Sequence, residues 1–286
     1  MPLCIESASK TFPEELRAIE GGPERIWLAG LVELLEKKPR VAIVGSRSPT
    51  PYGETQARRF ALALAESGAC VVSGLARGVD HAAHQAALDA NGATIAVLGS
   101  GVDTPWPTGP LTESMSKRGL LLSEFHPGQA PRPHHFPLRN RLISGLCVGV
   151  VVIEAAHASG SLITARWAAD QGRSVWALPG RVDHPMSRGS HRLIREGASL
   201  VESPDEIVRE LFGQAGQAES TRPCLPLNAT SEAVKIVALL TGETLTTDEI
   251  CARSGMELQP VLAALIELEV ADCVLRAPGG LYRLAR

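Results

Sequence analysis

Two kinds of apolar pattern alternate along roughly the first 210 residues. Short unbroken runs, such as VAIV at 41–44 and VGVVVI at 148–153, contain no polar position. They predict strands at Val41–Val44, Cys70–Ser73, Thr94–Leu98, Leu120–Ser123, Gly149–Ile153 and Ser174–Leu178, with a short one at Ser199–Val201. Between them, apolar positions recur at helical spacing. These predict helices at Gly53–Glu66, Val79–Ala90, Leu111–Lys117, Leu138–Leu146, Ser161–Asp170, Ser190–Glu196 and Pro204–Leu211. Unbroken apolar runs suit parallel strands covered on both faces. Their alternation with helices implies right-handed βαβ units and an α/β domain built on a mainly parallel, doubly wound sheet.

The pattern changes near residue 212. Residues 213–228 (GQAGQAESTRPCLPLN) are small, polar and Pro-containing, and read as a linker. Beyond it come helical patterns at Glu232–Thr241, Thr247–Ser254 and Leu258–Val270. Two β-like runs then flank Pro278-Gly279-Gly280 within 272–284. Three helices and a hairpin predict a small C-terminal winged-helix domain, giving the division 1–212, 213–228 and 229–286.

Composition narrows the classes. With 44% hydrophobic residues in 286, a substantial core can form. A net charge of −3 excludes a wholly basic nucleic-acid binder, so any such site must be local. The six cysteines at 4, 70, 147, 224, 251 and 273 form no CxxC pair. A zinc site or disulfide framework is therefore not expected, and a reducing, cytoplasmic setting is. No apolar run reaches membrane-spanning length, and no leader pattern is expected at the start. Charge is uneven, however. From Phe125 to Arg195 there are nine Arg, no Lys and three acids, whereas residues 225–286 carry five basic and eight acidic residues. The guanidinium fork matches oxyanion geometry, so an all-Arg stretch favours phosphate recognition over a merely solvated face.

In open parallel sheets, ligands gather where strands end and helices begin. Three predicted strand ends carry suitable chemistry. After Val41–Val44, Gly45-Ser46-Arg47 offers close backbone approach, a hydroxyl and a charged fork. It is not a GxGxxG turn, and no acid occupies the ribose position, so a dinucleotide cofactor is not expected. In SGLARGVD, Arg77 can join the same crevice, and Asp80 either faces it or caps the helix. His81 and His84 have the spacing of a metal pair but no evident third ligand, so packing or solvent exposure is the expectation and no metal is assigned. The third strand end leads through Gly160-Ser161 into a helix with Thr164 in its first turn, an anion cradle of hydroxyls and free amides. Between the second and third lies HHFPLRNRLISG, where Phe136 precedes Arg139-Asn140-Arg141. An aromatic beside Arg can stack a base and pair a phosphate, or Phe136 can simply staple a helix start.

The segments GSRSPTPYG, SGLARGVD, TIAVLGSGVD, LLSEFHPG, FPLRNRLISGL, EAAHASGSLITA, ALPG and LIREGA occur in the order found in the DNA-processing protein A family (DprA, also Smf). The resemblance runs from about Phe12 to Leu211. It implies an extended Rossmann-like fold, a homodimer, single-stranded DNA binding, and transfer of incoming DNA to the recombinase RecA in natural transformation, with no established catalysis. It also implies a DNA-contacting set of Ser46, Arg47, Arg77, Phe136, Arg139, Asn140, Arg141, Gly160, Ser161 and Thr164. The chain departs from the family pattern at Trp106-Pro107-Thr108-Gly109-Pro110, where a Tyr-Pro-x-x-Asn segment is usual, and at Cys147, where Ser is common. Only about ten residues precede Phe12, so the N-terminal SAM-like domain of many members is expected to be absent from this chain. For the dimer, Leu193, Ile194, Ile207 and Leu211 are the candidate contacts, because apolar residues concentrate over 193–212 at the rim of the predicted sheet.

Two other classes compete. A nucleotide phosphoribohydrolase-like enzyme would need a Pro-Gly-Gly-x-Gly-Thr loop, but Pro179-Gly180 continues as Arg181-Val182. No GxSxG elbow or P-loop is present, and Glu124 and Glu154 are expected to orient Arg side chains rather than act as acid or base. A winged-helix regulator of duplex DNA would read the major groove through MELQPVLAALIELEV, which carries Glu257, Glu267 and Glu269 and no cation. A non-enzymatic binder of single strands, without a cofactor, is the expectation.

Overall fold

The computed structural model describes residues 2–213, 230–240, 243–271, 273–277 and 280–284. The chain divides into two compact units, residues 1–218 and 219–286. Of the expected linker, only Gly213 lies within the described residues.

Among the described residues the first unit is built on nine strands: β1 Leu3–Glu6, β2 Arg25–Gly30, β3 Arg40–Val44, β4 Cys70–Ser73, β5 Thr94–Val97, β6 Leu120–Ser123, β7 Gly149–Val152, β8 Ser174–Ala177 and β9 Ser199–Leu200. Their order in the sheet is β1-β2-β6-β5-β4-β3-β7-β8-β9. From β6 through β9 every pairing is parallel. The two N-terminal strands add antiparallel pairs at one edge. The helices are α1 Glu14–Arg17, α2 Pro51–Glu66, α3 Val79–Asp89, α4 Pro110–Arg118, α5 His135–Gly145, α6 Ser161–Asp170, α7 Arg188–Arg195 and α8 Pro204–Phe212.

Strand β3 shows why the apolar runs are unbroken. Its residues alternate between faces, and both faces are covered. Val41 and Ile43 enter the cluster with Phe60 and Leu64 of α2 and Ile207 of α8. Ala42 and Val44 enter the opposite cluster with Leu142 and Ile143 of α5 and Ala165 of α6. The exception to the apolar rule is Arg40, 2% exposed at the head of β3. Its guanidinium donates to the carbonyls of Leu146 (2.7 Å) and Leu35 (2.6 Å) and pairs with Glu15 at 2.8 Å.

Three differences from the sequence reading matter. Strands β1 and β2 were not expected: β2 alternates buried with partly exposed positions, the pattern of a flank rather than of a covered centre. Helix α5 begins at His135 rather than Leu138, with Pro137 in its first turn, so Phe136 rides on the helix. Ile207 is completely buried against α2 and cannot be a contact between chains, contrary to its expected role.

The second unit contains α9 Ser231–Leu239, β10 Leu245–Thr246, α10 Thr247–Ser254, α11 Leu258–Val270, β11 Val274–Ala277 and β12 Leu281–Leu284. Its antiparallel sheet has the order β10-β12-β11. Thr246 and Glu249 form a reciprocal cap at the start of α10, and Gly255 ends that helix in the left-handed region. Ile236, Ile250, Val261, Leu265, Leu268, Val274 and Tyr282 fill its core. This is a winged-helix arrangement, as expected. Pro278 and Gly279 of the expected hairpin turn lie outside the described residues.

Candidate nucleic-acid interface

The strand order reverses direction at β3. Strands β4, β5 and β6 follow on one side, and β7, β8 and β9 on the other. The loops leaving adjacent β3 and β7 therefore diverge and open a crevice beyond the carboxyl ends of the sheet. It has a volume of about 660 Å³ and is walled by Gly45–Arg47 after β3, Ala156 and Ala158–Gly160 after β7, and the first turns of α5 and α6.

Arg47 is exposed at the rim. Its guanidinium carbon lies 5.5 Å from the centre of the half-buried Phe136 ring, within cation–π range. The ring rests against Gly99, where a Cβ would come within 3.0 Å of it. Opposite, the hydroxyls of Ser159 and Ser161 are 2.7 Å apart. The Asn140 amide donates to the carbonyl of Gly160 at 3.3 Å, joining α5 to the loop before α6. Ser46 accepts the amide of Ser48 at 3.1 Å. Val44, Pro133, Pro137, Ile143, Ile163 and Met186 add apolar wall. The crevice thus combines an exposed cationic fork at its rim, a partly open π face, several hydroxyls and an apolar lining.

Some expected chemistry is already committed. The amides of Ser161, Leu162 and Ile163 close onto Ser159 and Gly160 at 3.1–3.3 Å, so they are not the free cradle the sequence suggested. Gly45 is needed for packing: a Cβ there would lie 2.7 Å from Val79. Gly78, at φ +81°, brings the Arg77 loop against the backbone of Ser46.

Arg139 lies in the crevice floor, 3% exposed, and donates to the carbonyls of Gly74 (2.8 Å) and Val97. Burial pulls its pKa down to about 10, against the favourable field of Asp80. It remains cationic at neutral pH. Asp80 accepts the amides of Gly74 and Ala76 at 3.1 and 3.3 Å, on either side of Leu75, which it holds at φ +57°. Burial raises the Asp80 pKa, while Arg139 and these amides oppose the rise. Asp80 therefore closes the turn before its helix rather than capping the helix itself.

Of the ten residues the family resemblance implied, Ser46, Arg47, Phe136, Arg139, Asn140, Gly160, Ser161 and Thr164 line the crevice. Arg77 is exposed outside it. Arg141 is also outside, forked onto Glu124 at 2.8 and 2.6 Å. Glu154 accepts the amide and hydroxyl of Thr50 at 2.9 and 2.7 Å and so fixes the N-cap of α2. Glu124 orients an Arg, as expected; Glu154 holds a cap instead of the expected Arg. His84 is buried and bonded to Thr94 while His81 is exposed, so the two do not face one ligand. Among the described residues no group of three His, Cys, Asp or Glu could hold a metal ion. Met186 was missed. It reaches the crevice because its carbonyl accepts the amide of Ala155, a pairing of two loops with no local sequence signal.

The profile of the DNA recombination-mediator protein A family matches residues 4–212, and that of the DprA winged-helix domain matches residues 219–280. The chain belongs to this family. It is 40% identical to protein Smf of Escherichia coli over 290 residues, covering 99% of this chain and 77% of that one. It is 44% identical to the DNA processing protein DprA of Streptococcus pneumoniae over 201 residues, 70% of this chain and 71% of that one. The X-ray structure of the Streptococcus pneumoniae family member superposes with a TM-score of 0.70 at 41% identity, covering 73% of this chain and 74% of that chain. A Helicobacter pylori member, whose structure concerns its single-stranded DNA binding mode, superposes at 0.66 with 30% identity, covering 74% and 95%. The extended Rossmann-like domain and the winged helix are thus those of the family.

Proposed function

We propose that this protein binds single-stranded DNA in the crevice between β3 and β7, protects incoming DNA, and promotes loading of the RecA recombinase in natural transformation and recombination. The observation that carries the reading is the placement of Arg47 over Phe136 at the switch point of the sheet. A single strand offers both a free π face and a phosphate at each nucleotide, whereas a duplex hides the face. The binding mode of the Helicobacter pylori relative supports the same choice. The Asn140 amide is bonded to Gly160 and Arg139 to two carbonyls rather than left free to read a base edge, so sequence preference is expected to be weak.

The RecA and transformation roles rest on family membership. So does a homodimer, for which the exposed Leu200 and the half-buried Leu193, Ile194 and Leu211 supply apolar surface near the β9 end of the sheet. A cytoplasmic, non-enzymatic protein without cofactor is part of the same proposal. No helix among the described residues is long and apolar enough to cross a membrane.

The test is a titration with labelled oligo-dT and with duplex DNA of equal length at several salt concentrations. Single strands should bind more tightly, with log affinity falling by about 0.7 per neutralised phosphate for each tenfold rise in salt. Equal affinity for both forms, or an Arg47→Ala protein that binds like the parent, would overturn the assignment.

A further inference from the structure

In winged-helix readers of DNA, the helix before the wing enters the major groove and needs cations to meet the phosphates. Helix α11 holds that place in the second unit and carries none; its charged residues are Glu267 and Glu269, with Glu257 at its N-cap. One face, Val261, Ala264, Leu265 and Leu268, is buried in the core. The outward face is apolar as well: Leu258 is 52% exposed, Leu262 39%, Ile266 59% and Val270 82%. At 100° per residue these four positions fall on a continuous arc, and twelve steps of 1.5 Å give the stripe a length of about 18 Å. A surface helix needs one apolar stripe to hold its domain; a second, on the opposite side, marks a face for another partner.

The charges around the stripe discriminate among occupants. On α11 duplex DNA would meet carboxylates and no cation. A second copy is disfavoured too, because antiparallel pairing brings Glu257 of one helix to the end bearing Glu269 of the other, and parallel pairing sets Glu269 against Glu269. The partial negative charge of the helix C-terminus adds to this field beside Val270. We propose that the outer face of α11 is a docking surface for an amphipathic helix of another protein, one with an apolar seam and a basic rim. Anchors at i, i+4 and i+7 would lie along Leu258, Leu262 and Ile266, and Lys or Arg at the rim would pair with Glu257 and Glu269, since Glu267 already holds Thr230.

The experiment uses the full chain and a labelled Leu/Lys peptide of roughly 18 residues whose leucines lie on one helical face. A scrambled peptide of identical composition and a Leu/Glu version are the comparisons, with anisotropy as the readout. Saturable binding is expected for the amphipathic basic peptide alone. The double change Leu262→Ser with Ile266→Ser should weaken it about tenfold or more, since the anchors carry most of such a contact. Neither residue is part of the buried core, so the melting temperature should change little, and Arg47→Ala should leave peptide binding intact. Equal binding of the scrambled peptide, or indifference to the double change, would overturn the proposal. A fall in the mass of the unliganded protein on Ile266→Ser would assign the face to a second copy instead. Loss of duplex binding in the double variant would assign it to DNA.

Discussion

Arg47 and Arg139 share a crevice but differ in what holds them. Arg47 is exposed, and its replacement by Ala removes the rim cation without touching the core. Arg47→Ala should weaken oligo-dT binding and lower its salt slope by about 0.7 while leaving thermal unfolding unchanged. Arg139 is bonded to two carbonyls at the ends of β4 and β5. Arg139→Ala strands those acceptors and leaves Asp80 without its compensating charge. Each orphaned buried group costs about 1–3 kcal/mol, so a marked fall in melting temperature is expected. Motif resemblance placed both residues in one DNA-contacting set. In the structure Arg47 stands exposed at the rim, whereas Arg139 is bonded into the floor. Phe136 offers a third test: Phe136→Ala should cost about 1–3 kcal/mol of binding, Phe136→Trp little, and a Phe136→Leu protein binding like the parent would make its contribution one of packing.

His84 yields a pH prediction. The Thr94 hydroxyl donates to the carbonyl of Val71, so the Nδ1–H of His84 must donate to Thr94, and Nε2 has no partner among the described residues. Burial pulls the His84 pKa down to about 3. The unfolded chain takes up this proton near pH 6.5 and the folded chain only near 3. Stability is therefore intact above about pH 6.5 and falls as pH drops, by up to about 1.4 kcal/mol per pH unit from this group. Denaturant titrations from pH 7 to 4 on the parent and on His84→Gln should show a shallower loss in the variant. An unchanged slope would mean that this histidine does not set it.

At the scale of elements, the start of α2 is fixed from a distance. Thr50 caps it, and Glu154 after β7 holds Thr50. A Cβ on Gly53 would come within 2.3 Å of the Glu154 carboxylate. Gly53→Ala should therefore destabilise the protein, although alanine favours a helix by about 1 kcal/mol over glycine; a rise in melting temperature would show that Glu154 gives way freely. This contact also marks the limit of sequence reading. The covered strands β3 to β7 were legible because residues buried on both faces leave nearly unbroken apolar runs. The β1–β2 pair was not, because an edge strand spreads its apolar positions. The early start of α5 was hidden by Pro137, which resembles a break and in fact occupies the first turn. The crevice residues were legible through local turn chemistry and ordered motifs, whereas Met186 and the Glu154–Thr50 contact depend on loops that only the fold brings together.

At the scale of the whole molecule, the question is whether two crevices act on one strand. Strand β9 is the last of the sheet, and Leu200 on it is 46% exposed. Leu211 and Phe212 pack only partly against the cluster below. A dimer through this edge would cover that surface and carry two DNA sites on one particle. Light scattering should then give about twice the 30.3 kDa chain mass. Leu200→Glu or Leu211→Glu should lower it toward the monomer while the fold persists. Ile207→Glu should instead unfold the domain, since that side chain is fully buried within its own chain. The functional consequence follows from effective concentration: once one site holds the strand, the second binds it intramolecularly. Long oligo-dT should bind the parent more tightly than short oligo-dT, beyond the statistical gain in register. The Leu200→Glu protein should lose that length advantage and keep its affinity for short strands. Retention of the advantage by a protein that is monomeric at the same concentration would mean that a single chain carries the whole path of the strand.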